Sequence, residues 1–188
     1  FLKMNITKKY INNLKKVISS KDFEKKIDIT YDVLLEVWRK NKNIFICGNG
    51  GSAANAIHIA NDFLYGLGKR NKRGAKIEAL PANSSVITCL ANDLSYEKIF
   101  SEQLKTKGST GDLLIVLSGS GNSKNLISAI KEAKKLRIKT LSILGFSGGK
   151  CKKLSDISIH YPIRDMQISE DLQMIILNIC MQRLAKKN

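Results

Sequence analysis

The chain has 188 residues, with 32 Lys and Arg against 16 Asp and Glu, a formal net charge of +16 and 43% hydrophobic residues. That length suits one domain with a real core. No apolar run approaches the roughly 18 residues of a membrane span, and no signal-peptide segment follows the first residues, so a cytoplasmic protein is expected.

The lysines are spread along the chain without a helix-turn-helix or an aromatic stacking platform. The charge therefore reads as a solvated surface that draws anions inward, not as a nucleic-acid face. The four cysteines show no C-x-x-C spacing, and Cys47 and Cys180 sit in apolar runs, so they read as buried thiols and not as zinc ligands or disulfides.

Taken in order, Ile6 to Ser20 and Phe23 to Lys40 place apolar residues at helical spacing and predict two helices ahead of any strand. Ile44 to Cys47 is a short β-rich run buried on both faces. It ends at Gly48-Asn49-Gly50-Gly51, and Ser52 is the expected N-cap of a helix from Ala53 to Tyr65. Strand, glycine turn and helix start together make an anion site, because free N–H groups and the helix dipole converge on one point.

Gly48, Gly50 and Ala53 also fit a dinucleotide fingerprint, but the acid required about 20 residues later is missing. A P-loop fails for lack of a Lys-Ser/Thr pair, so no nucleotide cofactor is expected here. On the following helix, His58 and Asp62 share one face at i, i+4 spacing.

Lys76 to Leu80 is the second strand, Asn83 to Ala91 a short helix, Asn92-Asp93 a loop, and about Tyr96 to Lys105 another helix. Leu113 to Leu117 is the third strand. It runs into Ser118-Gly119-Ser120-Gly121-Asn122-Ser123 and then a helix from Lys124 to Leu136. Three hydroxyls on a glycine-wrapped helix start suit a phosphate without needing a cationic side chain. Lys139 to Leu144 and Asp156 to Tyr161 are the fourth and fifth strands, and Ser169 caps a last helix to Lys186 with Glu170 and Asp171 in its first turn. The alternation implies parallel βαβ units: an α/β fold, a three-layer doubly wound five-stranded sheet of flavodoxin type.

The motifs G-N-G-G-S-A-A-N-A-I-H and L-S-G-S-G-N-S-K-N, with Ala91-Asn92-Asp93 leading to Phe100-Ser101-Glu102-Gln103, resemble the sugar isomerase (SIS) domain, and within it the phosphoheptose isomerases. The resemblance runs from about Ile11 to Leu184. It implies a single SIS domain over 1–188, with oligomerisation helices in 1–42 and the α/β core in 43–188, assembled as a homotetramer in which neighbouring subunits reach each other's sites. It implies aldose–ketose isomerisation of sedoheptulose 7-phosphate to D-glycero-D-manno-heptose 7-phosphate, for surface-polysaccharide synthesis.

By residue, it implies a phosphosugar held by Asn49, Gly50, Gly51, Ser52, Ser118, Gly119, Ser120, Ser123, Asn92, Asp93 and Glu170. Asp62 is the implied base, with Asp93 as a second catalytic carboxylate. A divalent metal such as zinc would be held by His58, Asp62 and Glu170. Two departures stand out: the family's catalytic Glu is Asp62, and its second His, a general acid, is Asn178. An amide cannot shuttle a proton near neutral pH. The alternative reading is a catalytically silent SIS binding protein of the kind that associates with the replication initiator, or an SIS protein for another sugar phosphate.

Overall fold

A computed structural model describes residues 5–71 and 73–186. Five strands, β1 (Asn43–Cys47), β2 (Lys76–Ala79), β3 (Leu113–Ser118), β4 (Lys139–Leu144) and β5 (Ile157–His160), form one parallel sheet in the order β2-β1-β3-β4-β5. Their near-continuous apolar runs fit strands covered on both faces. All six residues of β3, the central strand, are buried.

One face is covered by α1 (Ile6–Ile18), α2 (Lys21–Arg39), α3 (Gly51–Asn61), α4 (Leu67–Asn71) and, at the far end of the chain, a long helix from Met166 to Ala185. Phe23, Leu34, Ile46, Ile59, Phe63, Leu141 and Ile176 build the core there. The other face carries α5 (Ser84–Asp93), α6 (Ser101–Lys107), α7 (Lys124–Lys135) and α8 (Gly149–Leu154), packed on Phe45, Phe100, Leu104, Leu126 and Ile130. The Met166–Ala185 helix is α9.

Several boundaries differ from expectation, each for a local reason. The expected cap Ser52 lies inside α3, whose N-cap is Gly50 at φ 55°, a conformation open to glycine. The Ala53–Tyr65 helix does not run on as an α-helix: from Asp62 to Gly66 it widens to a π-helix before α4 resumes the chain. Widening frees the Phe63 carbonyl, which accepts from Ala75 N at 2.9 Å.

Asn92 and Asp93 close the last turn of α5, so they are not a loop. Tyr96–Lys98 is a 3₁₀ turn separate from α6. The last helix starts earlier than Ser169, because Asp165 is its cap, accepting from Ile168 N at 3.1 Å. Glu170 and Asp171 therefore sit in the second turn. The helix α8 had no sequence signal beyond the glycines before it.

Candidate functional site

β1 sends its helix to one face of the sheet and β3 sends its helix to the other, while the two strands lie side by side. The crevice between their C-terminal ends is the switch point where open α/β sheets bind ligands. Both glycine-rich loops open into it. A small cavity of about 140 Å³ is lined by Asn49, Ser52, Ser118, Gly119, Ser120, Ser123, Met166 and Glu170, together with Leu117.

The loops are tied together and not merely adjacent. Asn125 Nδ2 donates to Asn49 Oδ1 at 2.7 Å, Asn49 Nδ2 returns a bond to Asn125 Oδ1 at 3.0 Å, and Tyr96 Oη donates to the same Asn49 oxygen at 3.1 Å. Close backbone approach explains the glycines. A Cβ on Gly121 would collide with the Gly148 carbonyl, and one on Gly51 with the Glu170 carboxylate.

The three serines of the second loop have distinct duties. Ser118 Oγ is buried and accepts from Gly121 N at 3.0 Å, so it shapes the loop. Ser120 Oγ accepts from Asn122 N at 3.3 Å, a weak bond. Ser123 is the N-cap of α7, yet its hydroxyl makes no capping bond. With the first-turn amides of α7, which have no intrahelical acceptor, Ser123 and Ser120 are the donors left for an anion.

The helix α9 closes the other side. Gln173 Nε2 donates to the buried Ser52 Oγ at 3.1 Å. Asn55 Nδ2 donates both to Gln173 Oε1 at 3.1 Å and to the Glu170 carbonyl at 3.0 Å. Ser52 thus holds α9 in place, and Glu170 projects over Gly51. Tyr10 Oη donates to Asp171 Oδ2 at 2.5 Å and docks α1 on the same turn. Burial and that carboxylate push the phenol up to about 12.

The residues expected to do chemistry are not gathered here. His58 Nε2 and Asp62 Oδ2 are 3.2 Å apart, with the His58 side chain 58% and the Asp62 side chain 27% exposed. Ten residues at about 1.5 Å each put Asp62 roughly 15 Å along the helix from Ser52. Asp93 and Asn92 lie outside the cavity lining. Hydrogen bonds from Asn92 and then Cys89 hold the Asp93 carboxyl below its usual range.

Among the described residues no group of three His, Cys, Asp or Glu is placed to hold a metal. The set His58, Asp62 and Glu170 does not assemble within one chain. Asn178 Oδ1 is shielded from solvent and has no hydrogen-bond partner, an orphaned acceptor on the helix that carries Glu170.

Sequence reasoning missed Met166, Asn125, Tyr96 and Asn55. Asn125 and Asn55 had a usable signal, since each lies in one of the two loop motifs. The others come from elements whose approach to the loops is set by the tertiary fold.

Residues 8–145 match the SIS domain family. The chain is 39% identical over 160 residues to a phosphoheptose isomerase of Helicobacter pylori, covering 83% of each chain. It is 32% identical over 180 residues to one of Clostridium acetobutylicum, covering 96% of this chain and 91% of the relative. In fold it is similar to a phosphoheptose isomerase from Francisella tularensis (TM-score 0.84, 24% identity, covering 98% of this chain and 100% of that one). It is also similar to one from Neisseria gonorrhoeae (TM-score 0.81, 24% identity, covering 94% and 91%). The chain belongs to the SIS domain family, among the relatives of the phosphoheptose isomerases.

Proposed function

We propose that the protein is a phosphosugar isomerase that interconverts sedoheptulose 7-phosphate and D-glycero-D-manno-heptose 7-phosphate. The observation that carries this is the pair of cross-linked loops at the switch point, a built anion pocket in a chain 39% identical to phosphoheptose isomerases. In this reading the phosphate takes the Ser120 and Ser123 hydroxyls and the first amides of α7, while the sugar chain runs toward Gly51 and Glu170.

Isomerisation needs a base that lifts a proton from C1 as the C2 carbonyl oxygen gains one, giving a cis-enediol. Return of the proton to C2 and loss of the O1 proton then leave the aldehyde at C1. Asp62 is the proposed base, with His58 holding its carboxylate. Roughly 15 Å from Ser52 along its helix, it is too far for the sugar bound in its own chain. The proposed site therefore takes its phosphate pocket from one copy and its base from another.

The surface supports such an assembly. Ile57, Leu64 and Tyr65, which flank His58 and Asp62, are 45%, 57% and 64% exposed, and amphipathic α1 buries no residue fully in its own chain. A homotetramer is proposed on that basis. Four free cysteines, one of them the exposed Cys89, favour the reducing cytoplasm. Among the described residues no helix is long and apolar enough to cross a membrane. Heptose synthesis for a surface polysaccharide is the proposed context. The test is turnover: purified protein given sedoheptulose 7-phosphate should yield the aldose, followed by ³¹P and ¹H NMR. No product over hours at micromolar protein would overturn the assignment.

A further inference from the structure

Against α7 lies a second concavity of about 590 Å³, lined by Lys98, Lys124, Lys131, Lys150 and Lys153 with Glu97, Ser128, Ile127 and Leu154. Three elements supply its cations: the 3₁₀ turn at Tyr96–Lys98, the exposed face of α7, and α8. Only Lys124 has an acid, Glu97, at 2.9 Å. Among the described residues Lys98, Lys131, Lys150 and Lys153 make no ion pair, whereas Lys26, Lys40, Lys105, Lys107, Lys134, Lys135 and Lys139 do. Four unpaired ammonium groups facing one concavity repel each other, and a multiply charged anion would relieve that repulsion.

The groove is not uniformly polar. Half-buried Ile127 and Leu154 form part of its lining between the lysines, and the volume falls in the range of small-molecule sites. A single phosphate would leave most of these cations unmatched and the apolar lining uncovered. We propose that this groove binds a nucleoside polyphosphate, with the phosphates on the lysines and the base against Ile127 and Leu154. It is separate from the glycine turn of β1, which lacks the acid of a dinucleotide site.

The groove also abuts the sugar-phosphate pocket. Ser123 lines one and Lys124 the other. Lys150 N donates to Asn122 Oδ1 of the serine loop at 3.0 Å.

Isothermal titration of the full chain with ATP, at 0.15 M salt and with saturating sugar phosphate present, tests this. The expected result is saturable binding that falls at least about tenfold in Lys131→Glu/Lys153→Glu. It should change less than about twofold in Lys21→Glu/Lys25→Glu, which alters the net charge equally at the start of α2. Circular dichroism melts of both variants should match wild type, since all four lysines are exposed. Equal losses in both variants would overturn the proposal in favour of a diffuse charge effect. Displacement of ATP by sugar phosphate would place the nucleotide in the serine loop instead. Inorganic tripolyphosphate binding as tightly as ATP would refute the apolar lining as a base platform. A single-stranded oligonucleotide binding far more tightly than ATP would make the groove a nucleic-acid face and refute the assignment.

Discussion

The two ends of α3 differ sharply. Its N-terminus is locked: Gly50 starts the helix, Ser52 is buried beneath Gln173, and Asn55 reaches Glu170. Asn49, Ser52 and Asn55 there each bond a residue of another element. Twelve residues after Gly50, at Asp62, the helix widens to a π-turn, the His58–Asp62 pair faces outward, and Ile57, Leu64 and Tyr65 stand exposed beside it. In the proposed reading, binding is a property of one chain, whereas the chemistry depends on what covers the other end. Stored irregularity such as a π-turn is common at functional sites, and here it begins at the residue proposed as base.

The largest effect should come from removing that base. Asp62→Asn is expected to lower kcat/KM by about 10²–10⁴-fold while calorimetric binding of a sugar phosphate stays within about twofold. Loss of binding as well would erase the distinction between the two ends.

At the other end, Ser120→Ala with Ser123→Ala should weaken sugar-phosphate binding by about 1–3 kcal/mol, since hydrogen bonds to a charged group are lost. The fold should be unaffected, because neither hydroxyl caps the helix. Unchanged affinity in calorimetry would move the phosphate elsewhere.

Tyr65→Lys with Leu64→Lys charges the apolar surface beside Asp62 and should shift the light-scattering mass toward the monomer, with activity falling in proportion. A wild-type monomer would remove the need for a second copy altogether.

The smallest expected change is in the pH profile. With Asn178 in place of an imidazole, the wild type lacks at this position an acid that would add a limb near an ordinary imidazole pKa of about 6.5. Asn178→His, and more so with Asp62→Glu, should add one. A general acid acts while protonated, so the gained rate is present below that pH and is lost as pH rises through it. Isomerase activity seen only in the double variant would support a silent binding protein over an enzyme.

Much of the molecule was legible from residues alone. Apolar runs located five strands, and the glycine and serine turns after β1 and β3 located both loops, because parallel strands and anion turns leave local chemical marks. Asn49, Ser120 and Ser123, which line the small cavity, lie in the same turns. What escaped were features decided by tertiary partners. Asp165, not Ser169, caps α9, and Ser52 holds Gln173 instead of capping α3. Ser118 is spent on its own loop, and Met166 and Tyr96 arrive from distant elements. The metal set is a related case: i, i+4 spacing guarantees that His58 and Asp62 meet, but nothing local fixes Glu170 beside them within one chain.

The division of the site between copies can be read directly by complementation. Asp62→Asn and Ser120→Ala/Ser123→Ala chains, each nearly inactive alone, are co-expressed so that mixed oligomers form. If one copy supplies the phosphate pocket and another the base, mixing creates sites with both intact, and activity should return to about a quarter of wild type for random assortment in a closed symmetric assembly. No recovery in verified mixed oligomers would contradict the account, because pocket and base would then belong to the same chain.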